Sequence, residues 1–227
     1  MFVDILETPC TEEGKIKEYF GNKFEAAFIC LFPFIECAKI PVSRFGTDDA
    51  PTNLEIFRSC RPVKWSEIVS KLALKSIGEL DIGLRTCIHG LKKELCDEVL
   101  ADKICALESQ SIIEPWEGEV SPFIAFPLLN FLKAKGYGTV LCTNEFSAQI
   151  QKLPVGDILQ DKTEIDFIQN IETEDEKILL STHWDSHFSI LLSSEELVRE
   201  FISAYNIEGF FCDENTEIYW SLHNEIN

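Results

Sequence analysis

A chain of 227 residues that is 45% apolar and 26% charged, with only 11 Gly and 9 Pro, fits one globular domain and excludes collagen-like, coiled-coil and disordered readings. Lys and Arg number 20 against 39 Asp and Glu, a net charge of −19, with residues 157–227 alone holding 3 basic and 17 acidic groups. A field of that sign repels phosphate backbones and anionic lipid heads, so nucleic acid and membrane partners are excluded; a basic protein is the partner that charge favours, while solubility alone accounts for the same charge.

In chain order, the first 60 residues carry the weakest signals. Thr11-Glu12-Glu13-Gly14 opens a short helix through Ile16, Tyr19 and Phe20, which Gly21 stops. Residues 24–34 are apolar enough to be buried whatever they form, and residues 45–53 have loop composition. Ser66 caps a helix bearing Ile68, Val69, Leu72 and Ala73 on one face. Leu91, Leu95, Val99, Leu100, Ile104 and Leu107 repeat at helical spacing opposite a charged face. Pro127 fits the first turn of a helix that runs through Leu132 to Gly136, and residues 139–143 read as a strand.

The last third gives the sharpest local pattern. Residues 177–182 and 188–192 read as strands, and Ser193 with Glu196 makes a capping box for a helix through Tyr205. Residues 207–212, a turn at Asp213-Glu214-Asn215 and residues 216–222 complete a strand–strand–helix–strand–strand unit. The expected class is α+β, with a mixed or antiparallel sheet and helices packed on one side. Residues 1–227 form a single domain, and 154–176, where the charge regime changes, is the place where a subdivision fits.

Nine cysteines are spread without a CxxC pair, which supports neither a zinc ribbon nor a dithiol redox motif. Most sit in apolar runs, as buried thiols of a reducing compartment do. The first residues lack the basic region of a signal peptide, and no apolar run approaches a membrane span, so a cytoplasmic setting is expected.

One stretch can carry chemistry: Thr182-His183-Trp184-Asp185-Ser186-His187-Phe188. A three-residue turn at Trp184-Asp185-Ser186 pairs His183 with His187 and Ser181 with Ser189 on one face, and Leu180 with Ile190 on the other. Opposed residues have Cβ atoms about 5 Å apart, close enough for two imidazoles to share a divalent metal with Asp185. His183, Asp185 and His187 are therefore the candidate metal ligands, while capping of the turn explains the same residues structurally. If the segment stays extended, His183 and Asp185 with His223 match the non-haem iron pattern. However, no Lys or Arg follows Arg199 to hold a co-substrate carboxylate. Cys87 and His89 lack an orienting third group, Asp213 and Glu214 suit a turn, and nucleophile-elbow, Walker A and dinucleotide motifs are absent.

Residues 181–188, followed by Glu208-Gly209-Phe210-Phe211-Cys212-Asp213-Glu214-Asn215-Thr216-Glu217-Ile218-Tyr219-Trp220, resemble an uncharacterised domain-of-unknown-function family of spore-forming bacteria. The resemblance implies a bacterial cytoplasmic protein and brings no activity, cofactor or site residues. Two functional expectations follow from the residues. One is an immunity-like module that binds a basic protein through its acidic, aromatic C-terminal third. The other is a metal-dependent hydrolase or related small-molecule enzyme using His183, Asp185 and His187.

Overall fold

The structure is a computed structural model, and it describes residues 14–218 except Asn22, 145–146, Asp161, Glu164, 166–167 and Trp184. The chain runs β1 (Gly14–Lys15), α1 (Ile16–Phe20), β2 (Ala26–Leu31), β3 (Phe34–Glu36), α2 (Asn53–Ser59), β4 (Arg61–Val63), α3 (Trp65–Lys71), α4 (Ile77–Cys87) and α5 (Glu98–Cys105). It continues with β5 (Ile112–Ile113), α6 (Pro122–Ala134), β6 (Thr139–Asn144), β7 (Ser147–Pro154), α7 (Val155–Leu159), β8 (Ile168–Glu172), β9 (Leu179–Thr182), β10 (Phe188–Ser193), α8 (Glu195–Tyr205), β11 (Gly209–Phe211) and β12 (Glu217–Ile218). The fold is α+β, and every strand pair is antiparallel. Among the described residues no helix is long and apolar enough to cross a membrane.

The centre is a seven-stranded sheet in the order β11-β2-β10-β9-β8-β6-β7. It draws strands from both sides of residues 154–176. Helices cover both of its faces, not one. Alternate residues of β2 show this: Ala26, Phe28 and Cys30 pack with α6, α7 and α8, while Ala27, Ile29 and Leu31 pack with α1, α3, α4 and α5. An apolar run such as Ala26-Ala27-Phe28-Ile29-Cys30-Leu31 is what two buried faces demand. A small sheet, β4-β3-β5, and the pair β1-β12 are the other sheets among the described residues.

Several expected boundaries move, each for a local reason. The helix expected across residues 91–107 is α5, which starts only at Glu98 because Asp97 accepts the Leu100 N–H at 2.9 Å. Val99 then points to solvent at 67% exposure instead of joining the apolar face. α3 starts at Trp65, one residue before the expected cap. The Glu208 carboxylate, brought from far along the chain, accepts the Trp65 and Ser66 N–H groups at 2.6 and 3.1 Å. α6 begins with Pro122 in its first turn and carries Pro127 in its interior, where one backbone hydrogen bond is forgone. α8 is capped by Ser194, whose hydroxyl accepts the Leu197 N–H at 3.3 Å. Ser193 instead ends β10 and donates to the Lys177 carbonyl. β11 and β12 do not pair as a hairpin: β11 joins β2 and β12 joins β1. Of the strand expected over 216–222, β12 covers Glu217–Ile218, and residues 219–222 lie outside the described residues.

α4 and α5 meet at Gly83. A Cβ built there lies 2.5 Å from Ile104 Cδ1 and 2.7 Å from Leu100 Cγ, so even a methyl group overfills the contact. Gly83→Ala is expected to lower the unfolding free energy by about 1–3 kcal/mol in urea titrations. A variant as stable as the parent would show that the two helices separate freely.

Candidate functional site

The described residues line an open cavity of about 280 Å³ between the β2–β10 face of the sheet and α3 and α4. Its walls are mostly carbon, from Ile16, Ile29, Leu31, Trp65, Phe188 and Ile218. Ile77 and Phe210, 39% and 49% exposed, stand at its rim. Into this apolar space project Asp81 and Arg85 of α4 together with Asp185 and His187 of the β9–β10 turn. An apolar pocket with a few convergent polar groups is the arrangement that binds small molecules.

α4 positions two of these groups. Ser76 accepts the Glu79 N–H at 3.2 Å and Glu79 in turn accepts the Lys75 N–H at 2.8 Å, which fixes the helix start. Asp81 and Arg85 then fall one turn apart on one side, with Arg85 Nη1 3.4 Å from Asp81 Oδ2. The Arg85 side chain is buried, whereas Asp81 keeps 35% of its side-chain surface, part of it in the cavity wall. Protein surrounds the Asp81 carboxyl on most sides, and the lost hydration pushes its pKa above the ordinary value while Arg85 pulls it back.

The β9–β10 turn positions the others. The ladder pairs Ser189 with Thr182, Ile190 with Ser181 and Leu191 with Leu180. That register is one residue away from the expected one, so His183 and His187 are not a directly opposed pair. Residues 183–187 form the reversal, and the Ser186 N–H donates to the His183 carbonyl at 3.1 Å. The hairpin has no polar face; Thr182 and Ser189 are buried and satisfy each other, hydroxyl to hydroxyl, at 2.6 Å. The reversal is pinned from outside, as the Phe32 N–H donates to the His187 carbonyl at 2.9 Å and the Gly118 N–H to the Ser186 carbonyl at 3.2 Å.

The two imidazoles have different surroundings. His183 is buried, and its Nδ1 accepts the Asp185 N–H at 3.3 Å, so the neutral ring carries its proton on Nε2. His183 is not among the residues that line the cavity, whereas Asp185 and His187 are. His187 is 3% exposed, and none of the described residues hydrogen-bonds to its ring nitrogens. Burial, reinforced by the nearby positive charge of Arg85, lowers its pKa to about 4. It is therefore uncharged at neutral pH, with one nitrogen donating and the other accepting.

Among the described residues no group of three or more His, Cys, Asp and Glu side chains is placed to hold a metal ion. Trp184 and His223 lie outside the described residues. Cys87 closes α4 with its pKa pushed up to about 12 by burial and the adjacent Cys105 thiol, which suppresses the nucleophilic thiolate. His89 is exposed just beyond the helix end, and Asp213 closes a tight turn by accepting the Asn215 N–H at 2.8 Å. Asp81 and Arg85 were not expected as site residues. The Ser76…Glu79 capping pattern and the acid–base pair one turn on were the available signal.

A family described as a protein of unknown function, DUF2711, matches residues 12–222. The chain belongs to the DUF2711 family. The resemblance expected from residues 181–220 is met at the level of an uncharacterised family, and the match takes in almost all of the DUF2711 chain. No curated protein and no solved structure matches it. The function of this DUF2711 protein is therefore argued from its own geometry.

Proposed function

We propose that the chain binds a small molecule in the cavity beside α4, with His187 as the polar anchor. The observation that carries this reading is a buried imidazole that faces an apolar cavity without a hydrogen bond from any described residue. A ligand group that reaches the ring in place of water gains a hydrogen bond worth about 0.5–1.5 kcal/mol. A ring with a pKa of about 4 is a weak base at neutral pH, so the role it supports is hydrogen bonding to the ligand, not proton abstraction. Eight free thiols among the described residues support a reducing, cytoplasmic setting.

The test uses Gly78, which lines the cavity and where an added Cβ meets only the Ser76 hydroxyl, at 3.6 Å. Gly78→Trp is expected to narrow the cavity without disturbing the fold. An uncharged fluorescent probe such as phenylnaphthylamine should bind the parent saturably and the variant at least about tenfold more weakly, with unchanged circular dichroism. Equal binding by both proteins refutes the site.

The expected metal at His183, Asp185 and His187 has less support, since only Asp185 and His187 line the cavity and the three side chains do not come together as a metal-holding group. A rise in melting temperature with zinc or manganese that His187→Ala abolishes is its expected signature. A protein partner is favoured by Phe210, 49% exposed on the edge strand β11 within the acidic C-terminal third. Such an immunity-like module should retain a basic protein at low and moderate salt, and Phe210→Ser should release it.

A further inference from the structure

The polar groups that α4 and His187 bring to the cavity balance one another in charge. Arg85 has Asp81 at 3.4 Å, and the neutral His187 adds no charge to that pair. An anion brought to this end meets Asp81 along with Arg85, and a cation meets Arg85 along with Asp81. Either sign loses its hydration and gains no net counter-charge, which is an unfavourable exchange in an apolar space. Asp185 and Glu217, half-exposed in the wall, turn anions away further, while their solvent contact weakens any hold on a cation.

A neutral hydroxyl or carbonyl gives up far less water. The His187 ring offers it a donor on one nitrogen and an acceptor on the other. The walls set the size of the remainder. An apolar cavity of about 150 Å³ takes one benzene ring. The cavity here, about 280 Å³, takes roughly twice that volume. Resting on the reading of this cavity as the functional site, we infer that the ligand is an uncharged amphiphile. Its apolar body is about two fused rings or a chain of about ten carbons, and it carries one hydroxyl or carbonyl that meets His187.

The experiment is calorimetric titration of the full chain at neutral pH with four probes that share one body: naphthalene, naphthol, naphthoate and naphthylmethylammonium. Naphthol is expected to bind about three- to tenfold more tightly than naphthalene, the yield of one hydrogen bond, and at least about tenfold more tightly than either ion. In His187→Phe the advantage of naphthol over naphthalene should vanish. Tightest binding by an ion overturns the inference, as does an advantage of naphthol that survives in His187→Phe. Naphthalene and naphthol binding equally in the parent overturns the inference and leaves the cavity as a site. Binding by none of the four overturns both.

Discussion

Trp65→Ala is expected to lower the unfolding free energy by about 3–5 kcal/mol, a large share of the roughly 5–15 kcal/mol that holds a domain together. Trp65 is 1% exposed and joins three separate parts of the molecule. Its indole N–H donates to the Phe32 carbonyl at 2.6 Å, just beyond β2, and its backbone N–H donates to Glu208 at 2.6 Å, just before β11. Its ring also forms a wall of the cavity. Truncation removes the packing, enlarges the void and leaves the Phe32 carbonyl without its donor. Trp65→Phe keeps most of the apolar surface and should lose about 1–3 kcal/mol, chiefly through the missing hydrogen bond. Urea unfolding of both variants reads these values directly. A loss below about 1 kcal/mol for the alanine variant would mean that the ring is not packed as described.

The second large effect is a pH dependence. His187 has a pKa of about 4 in the fold against 6.5 in the unfolded chain. Between those values the unfolded chain takes up a proton that the folded one refuses, so acidification favours unfolding. The contribution is absent above the unfolded value, grows as pH falls below it, and reaches about 2 kcal/mol of destabilisation between pH 7 and pH 5. Asp81 acts with the opposite sign. Its raised pKa lets the fold keep a proton that the unfolded chain has released, so falling pH strengthens the fold through that group. Comparison of the parent with His187→Phe isolates the histidine. The parent should lose about 2 kcal/mol more than the variant between pH 7 and pH 5. Superimposable profiles would show a solvated imidazole and remove the anchor of the proposed site.

Local chemistry made parts of this fold legible. The order β9, β10, α8, β11, β12 follows from apolar runs, a capping serine and an Asx turn that act within a few residues. The register of β9 with β10 did not follow, because alternation carries information only when one face is wet. Here both faces are covered, and Ser181, Thr182 and Ser189 sit inside, so a hydroxyl does not mark the solvent side. The helix counted from Leu91 failed for a similar reason: residues 93–95 form a separate turn, so the spacing of Leu91 and Leu95 does not continue into α5. His187 and Asp185 were visible as candidates by residue type. Arg85 and Asp81 were not, because an acid–base pair one turn apart reads as a solvated face until tertiary packing encloses it.

The position of β2 has a consequence for how the chain assembles. β2 ends at Leu31, yet its neighbours on either side are β10, which starts at Phe188, and β11, which starts at Gly209. At translation rates of about 5–20 residues per second, β2 leaves the ribosome roughly 8–30 s before its first ladder partner is made. Throughout that interval an almost wholly apolar strand has two open edges, the state in which nascent chains aggregate or recruit chaperones. The central sheet therefore closes near the end of synthesis. Slowed elongation before residue 188 should lower the soluble yield more than the same slowing after residue 211.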